Sequence, residues 1–170
     1  MLNVAQAVPY ELTAPEGGVL YRLNVHLTRF RTWEAAIRAG APDTTRSNSV
    51  RRVGCLFEPP PAEAGPVSLV LLWMGKESVT VTRQANAWAT QNGLLLSSPY
   101  HVLALSAKFP YLYEEYGLSG AGFVATQVFR MVEPYVCGVW QSKRDTKRHT
   151  ELVPTDFQFL DRTMFVYREL

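Results

Sequence analysis

Histidine, cysteine and charge are all scarce in this sequence. Three histidines, His26, His101 and His149, stand far apart in 170 residues. No His-x-His pair exists, so a metal centre built on a close histidine pair, a carboxylate and a later histidine is excluded. The two cysteines, Cys55 and Cys137, form no Cys-x-x-Cys element, which removes zinc-ribbon and thioredoxin-type redox chemistry. They read as two buried free thiols or as a single disulfide. Charged residues make up only 19%, and a net charge of +2 is too small for the protein as a whole to bind nucleic acid. The longest apolar run, VSLVLLWM, is far too short to span a bilayer. The opening MLNVAQAVPYEL has no basic stretch ahead of an apolar core, so no signal peptide is expected. A P-loop, a Gly-x-Ser-x-Gly elbow, internal repeats and low-complexity tracts are absent as well.

What remains is apolar, aromatic and punctuated. Hydrophobic residues reach 47% and aromatics 12%, with 11 prolines and 11 glycines. That composition fits a globular, β-rich chain, part of whose surface is covered by neighbouring subunits. Arg far outnumbers Lys and Ile37 is the sole isoleucine, a pattern most simply set by GC-rich coding.

Period-2 alternation dominates the chain. In VLYRLNVHLT, Val19, Tyr21, Leu23, Val25 and Leu27 form an apolar stripe, opposed by Arg22, Asn24, His26 and Thr28. Similar signals predict strands at 19–28, 50–58, 67–74, 78–83, 101–106, 122–132, 135–141 and 157–168. VSLVLLWM is apolar on both faces, as a strand covered on both sides would be. Helix signals are short. TWEAAIRAG carries Thr32 as N-cap, Glu34 paired with Arg38, and Gly40 as the stop. TRQANAWATQNG predicts a second helix over 83–92, stopped by Gly93, and a third short turn starts at Pro110. EPPPAEAGP reads as a long loop between strands. The expected fold is all-β: a single eight-stranded antiparallel jelly-roll sandwich with short helical insertions, residues 19–170, behind an N-terminal arm of residues 1–18. In that topology strands 50–58 and 135–141 are neighbours, which makes Cys55 and Cys137 an adjacent-strand pair within disulfide reach.

Few residues carry chemistry. His26-Leu27-Thr28 is half of the signature of a two-histidine phosphoesterase, with histidine as proton carrier and hydroxyl as phosphate ligand. The second half is missing, because His101 precedes Val102-Leu103 and His149 precedes Thr150-Glu151. The jelly-roll expectation raises the cupin metal site, which the histidine spacing rejects. Ser119 in GLSGAG and the pair Glu114-Glu115 read as turns. The densest charge run is SKRDTKRHT, where Lys143, Arg144, Lys147 and Arg148, with His149, could contact phosphates of nucleic acid or lipid headgroups. The simpler reading is a solvated hairpin tip. No catalytic residue, no metal and no cofactor is expected, and the chain reads as a non-enzyme.

In size and strand pattern the chain resembles the small single-jelly-roll major capsid proteins of tailless, icosahedral, membrane-containing double-stranded DNA phages. The likeness spans residues 19–168 and includes no diagnostic motif. It implies a capsid subunit in the virion, made in the host cytoplasm, whose partners are copies of itself and other capsid proteins. An internal membrane is a further possible contact. The sequence lacks a long basic arm, which makes direct genome binding less expected. Two other classes stay open: a nucleic-acid-binding β-barrel using the loop 142–150, and a small hydrolase using His26.

Overall fold

The computed structural model describes residues 12–56, 66–75, 82–111, 122–141, 146–157 and 163–170. Their order is β1 (Val19–Val25), α1 (Trp33–Gly40), α2 (Ser49–Arg52), a 3-10 turn (Gly54–Leu56), β2 (Val67–Trp73), α3 (Thr82–Gln91), β3 (Leu95–Leu96), α4 (Pro99–Lys108), β4 (Gly122–Ala125), β5 (Phe129–Arg130), β6 (Pro134–Gln141), β7 (Arg148–Pro154) and β8 (Thr163–Arg168). The chain is thus β-rich, with eight strands and four helices among the described residues.

The strands join in one mixed sheet. Its order runs β1-β2-β8-β4-β6, with β7 on the far side of β6, β5 beside the start of β6, and β3 beside the end of β8. All pairings are antiparallel except β4 with β8, which is parallel from Gly122↔Thr163 to Ala125↔Val166. This arises because β5, β6 and β7 turn back and forth on one side of β4, and the chain then returns to lay β8 along its other side. One mixed sheet therefore replaces the two antiparallel four-stranded sheets of the expected jelly roll.

Both faces of this sheet are covered. Leu69, Leu71, Phe123, Ala125, Cys137, Val139, Met164 and Val166 face α1 and α4, which contribute Ala36, Ile37, Val102, Leu103 and Leu105. Val70, Leu72, Val124, Val136, Val153, Phe165 and Tyr167 face the other way, toward Ala85 and Ala89 of α3. Successive residues of β2 and β8 thus enter opposite cores, which is why the runs Leu69–Leu72 and Met164–Tyr167 show no polar alternation.

Two expected strands are helical instead. Residues 101–106 lie inside α4, buried all round from Pro99 to Ser106. A helix with no wet face loses the 3.6-residue polar rhythm and looks like a two-sided strand. Residues 50–56 form α2 and the 3-10 turn, initiated by Asn48, whose side chain accepts from Val50 N–H at 2.9 Å. Of the expected strand 78–83, residues 82 and 83 open α3, and 78–81 lie outside the described residues. The strand 122–132 is interrupted between Ala125 and Phe129, and the strand 157–168 is formed from Thr163 onward, with 158–162 outside the described residues. Strand β7 was not expected at all.

The helix over 32–40 forms as the sequence predicts, with Thr32 capping Ala35 N–H at 3.2 Å. Glu34 reaches Arg51 on α2, where Arg38 was the expected partner. α1 crosses α4 at Gly40, where an added Cβ would lie 2.3 Å from the Leu103 carbonyl oxygen. Only a glycine lets the two backbones approach this closely.

Candidate functional site

The three histidines are held on separate elements. His26 follows β1, exposed, and its carbonyl accepts from Lys108 Nζ. Thr28 is exposed beyond it. His149 lies on β7, at the opposite side of the sheet from β1, with Nε2 3.5 Å from Glu151 Oε1. His101 is buried in the first turn of α4, where its Nδ1 accepts from Ser98 N–H at 3.1 Å and lies 2.7 Å from Ser98 Oγ. That is the reciprocal cap of a helix start, with Pro99 in the first turn. His101 therefore serves local structure as a helix cap, and the three imidazoles are not brought together. Among the described residues no three His, Cys, Asp or Glu side chains come together in a way that could hold a metal ion.

The cysteines do not form the expected pair. Cys137 on β6 is free and buried, with Sγ 3.2 Å from Thr150 Oγ1. Burial pushes its thiol up to about 12, against the opposing pull of that hydrogen bond. Its neighbour across β7 is Leu152, and Cys55 sits in the 3-10 turn, not on an adjoining strand. A thiol that stays protonated in an apolar core is a poor nucleophile.

The basic run divides at Arg148. Lys143 and Arg144 lie outside the described residues, and Lys147 is exposed. Arg148 begins β7 and turns inward: its Nη1 donates to the carbonyls of Ser106 at 2.6 Å and Gly40 at 3.4 Å. These carbonyls belong to the ends of α4 and α1, where the helix dipole is negative and a guanidinium is favoured. Ser106 Oγ also donates to Gly40 O at 2.7 Å. Arg148 therefore bolts the ends of two helices together. The turns containing Glu114, Glu115 and Ser119 lie outside the described residues.

Sequence reasoning missed a polar knot where β4 leaves β8 and β3 takes its place. Ser97 N–H donates to Thr126 Oγ1 at 2.9 Å, and Thr126 Oγ1 donates to Val166 O at 2.8 Å. Asn86 Nδ2 donates to Thr126 O at 3.0 Å and accepts at Oδ1 from Tyr167 OH at 3.0 Å. These groups satisfy one another, so the knot holds four elements together.

Two surface features are left. The first is the end of the sheet where β5 turns into β6 and β7 finishes. Val132 there is fully exposed, Met131 and Phe157 are about half exposed, and Val128 is exposed beside them in sequence. Hydrogen bonds from Thr155 N–H to Pro134 O and from Phe157 N–H to Pro154 O fix Phe157 at this same end. The second is β1, which pairs with β2 and comes last on that side of the sheet among the described residues.

No family model, curated protein or solved structure matches the chain. No helix among the described residues is long and apolar enough to cross a membrane.

Proposed function

We propose that the protein is a structural subunit that self-assembles or co-assembles through its surfaces, and that the assembly is the shell of a virion. The observation that carries this reading is the apolar end formed by Val128, Met131, Val132 and Phe157. A hairpin tip facing only water gains nothing from Met131-Val132, whereas a tip buried against another subunit gains about 25 cal/mol for each Å² of apolar surface removed from water. The low charge fraction of 19% supports the same reading, since charged residues are depleted at the centres of interfaces. The partners are copies of this chain and companion shell proteins. Capsid identity itself rests on the sequence resemblance in size alone, because the single mixed sheet does not reproduce the jelly-roll strand pattern of those proteins.

The test is sedimentation velocity over a hundredfold range of concentration, on the natural chain and on Met131→Asp/Val132→Asp. The natural chain forms concentration-dependent oligomers and the double variant sediments as a smaller species with an unchanged far-ultraviolet spectrum. A natural chain that is monomeric throughout overturns the reading. Salt-sensitive binding of DNA by that monomer would turn attention to the basic loop instead.

A further inference from the structure

The positive charge of the chain is unevenly placed. Residues 29–56 hold six of its 17 basic residues, all arginine, and two of its 15 acidic ones, Glu34 and Asp43. Six positive and two negative charges leave this stretch at +4, against +2 for the whole chain. The fold gathers the second half of the stretch around Arg51. That guanidinium meets the Glu34 carboxylate of α1 through Nη1. It also donates to Thr44 O at 3.0 Å from Nη2 and to Thr45 O at 3.1 Å from Nε. Arg46 follows Thr45 directly, Arg52 follows Arg51 on α2, and Arg38 stands one turn beyond Glu34 on α1. Arg38, Arg46 and Arg52 are all exposed. The two acids are engaged: Glu34 by Arg51, and Asp43 by the backbone N–H of Arg148 at 2.8 Å. The stretch is pinned along its length. Asn48 caps α2, Trp33 Nε1 donates to Val50 O at 2.9 Å, and Thr44 N–H donates to Ala41 O at 3.1 Å.

We propose that this arginine face binds the phosphodiester backbone of double-stranded nucleic acid, without reading its sequence. The guanidinium fork matches phosphate oxygens with two parallel donors. Thr45, Ser47 and Ser49 stand exposed between the arginines, and short hydroxyls donate to the same oxygens. The two aromatic residues of the stretch, Phe30 and Trp33, pack into the core. Neither ring is offered to an unpaired base for stacking or to a bilayer for insertion. A duplex backbone asks only for positive charge and hydrogen-bond donors on a fixed surface, which is what the face presents. Because the stretch is already pinned, it loses little freedom on binding. The inference stands apart from the assembly reading. In a shell subunit, this is the face that turns to the genome.

The experiment is fluorescence anisotropy of a labelled duplex titrated with the full chain, from about 50 to about 200 mM salt. Three arginine–phosphate contacts give a slope of log K against log salt of about −3, roughly a fortyfold loss of affinity across that range. Arg38→Gln/Arg46→Gln/Arg52→Gln weakens binding at least about tenfold at the lower salt and brings the slope within about one of zero. Its far-ultraviolet spectrum and melting temperature stay those of the natural chain, because the three side chains are exposed. Lysine at the same three positions keeps the slope, since the charge remains. A natural chain that does not bind the duplex overturns the proposal, as does a glutamine variant with an unchanged slope. Binding lost in Lys143→Gln/Arg144→Gln and kept in the arginine variant overturns it in favour of the loop. Binding confined to vesicles of about one-third phosphatidylserine overturns it in favour of lipid headgroups. None of these results bears on self-association, which Met131→Asp/Val132→Asp reads separately.

Discussion

Substitution of Gly40 by Ala probes the contact on which the α1–α4 layer is built. The new Cβ would stand 2.3 Å from the Leu103 carbonyl oxygen, 2.7 Å from its Cα and 2.8 Å from its carbonyl carbon. Ordinary contact begins at 3.4 Å, so the helices must part by about 1 Å. These are backbone atoms and cannot rotate aside. Overpacking of this kind costs about 1–3 kcal/mol. The same displacement stretches the bonds that Ser106 Oγ and Arg148 Nη1 donate to Gly40 O. Alanine returns at most about 1 kcal/mol of helix propensity, less at the last helical residue. The expected net loss is about 2 kcal/mol, a fall of about 4–8 °C in Tm for a chain of this length. Urea unfolding followed by circular dichroism measures it as a lower midpoint at constant slope. Gly93→Ala is the control, because Gly93 has φ +73° with nothing within 4 Å of a Cβ. Its cost is only the left-handed backbone, about 1–2 kcal/mol. A Gly40→Ala protein as stable as the natural one would show that the helices are not in close contact and would refute the argument.

The inward role of Arg148 predicts that Arg148→Gln loses about 2 kcal/mol of stability, whereas exposed Lys147→Gln stays within about 0.5 kcal/mol; equal and small effects would return Arg148 to the surface. Cys137 predicts an alkaline loss of stability. Its folded thiol titrates at about 12 and an unperturbed thiol at 9.0, so the unfolded state gives up its proton first. The contribution is complete below pH 9 and is lost as pH rises toward 12, with a slope approaching about 1.4 kcal/mol per pH unit. Stability measured between pH 9 and 10 should therefore fall more gently in Cys137→Ala, and parallel slopes would contradict the burial argument. At Gly122 a Cβ would lie 2.0 Å from the Trp140 ring, so Gly122→Ala destabilises by about 1–3 kcal/mol. Adding Trp140→Leu should recover at least about 1 kcal/mol of that, whereas strict additivity would mean the two do not meet.

The sequence made some elements legible because one signal pointed one way. Thr32 and the apolar spacing of TWEAAIRAG define α1, and the run VSLVLLW defines a strand buried on both sides. α3 forms within a residue of its expected start and ends before Gly93. α4 was misread because burial on every side erases periodicity, although Ser98 followed by Pro99 is a helix start that the apolar run overshadowed. β7 was hidden by charge: in RHTELVP the buried Thr150 and the inward Arg148 look like solvent-facing residues until the helix ends they serve are known. With Cys55 in a 3-10 turn, its pairing with Cys137 on adjacent strands has no basis. The surfaces were half legible. The β1 stripe is plain in the sequence, but its place last on that side of the sheet, among the described residues, depends on β8 returning between β2 and β4, an ordering set by long-range packing. Likewise Met131 and Val132 read as strand residues, and only the turn between β5 and β6 leaves them in water.

Electron microscopy of the purified chain, concentrated without additives, tests the central claim most directly. An assembling shell subunit gives closed shells, rings or an ordered lattice, and Met131→Asp/Val132→Asp abolishes them while the fold persists. Uniform particles of about 19 kDa at every concentration, confirmed by mass photometry in the presence of candidate shell partners, would contradict the account.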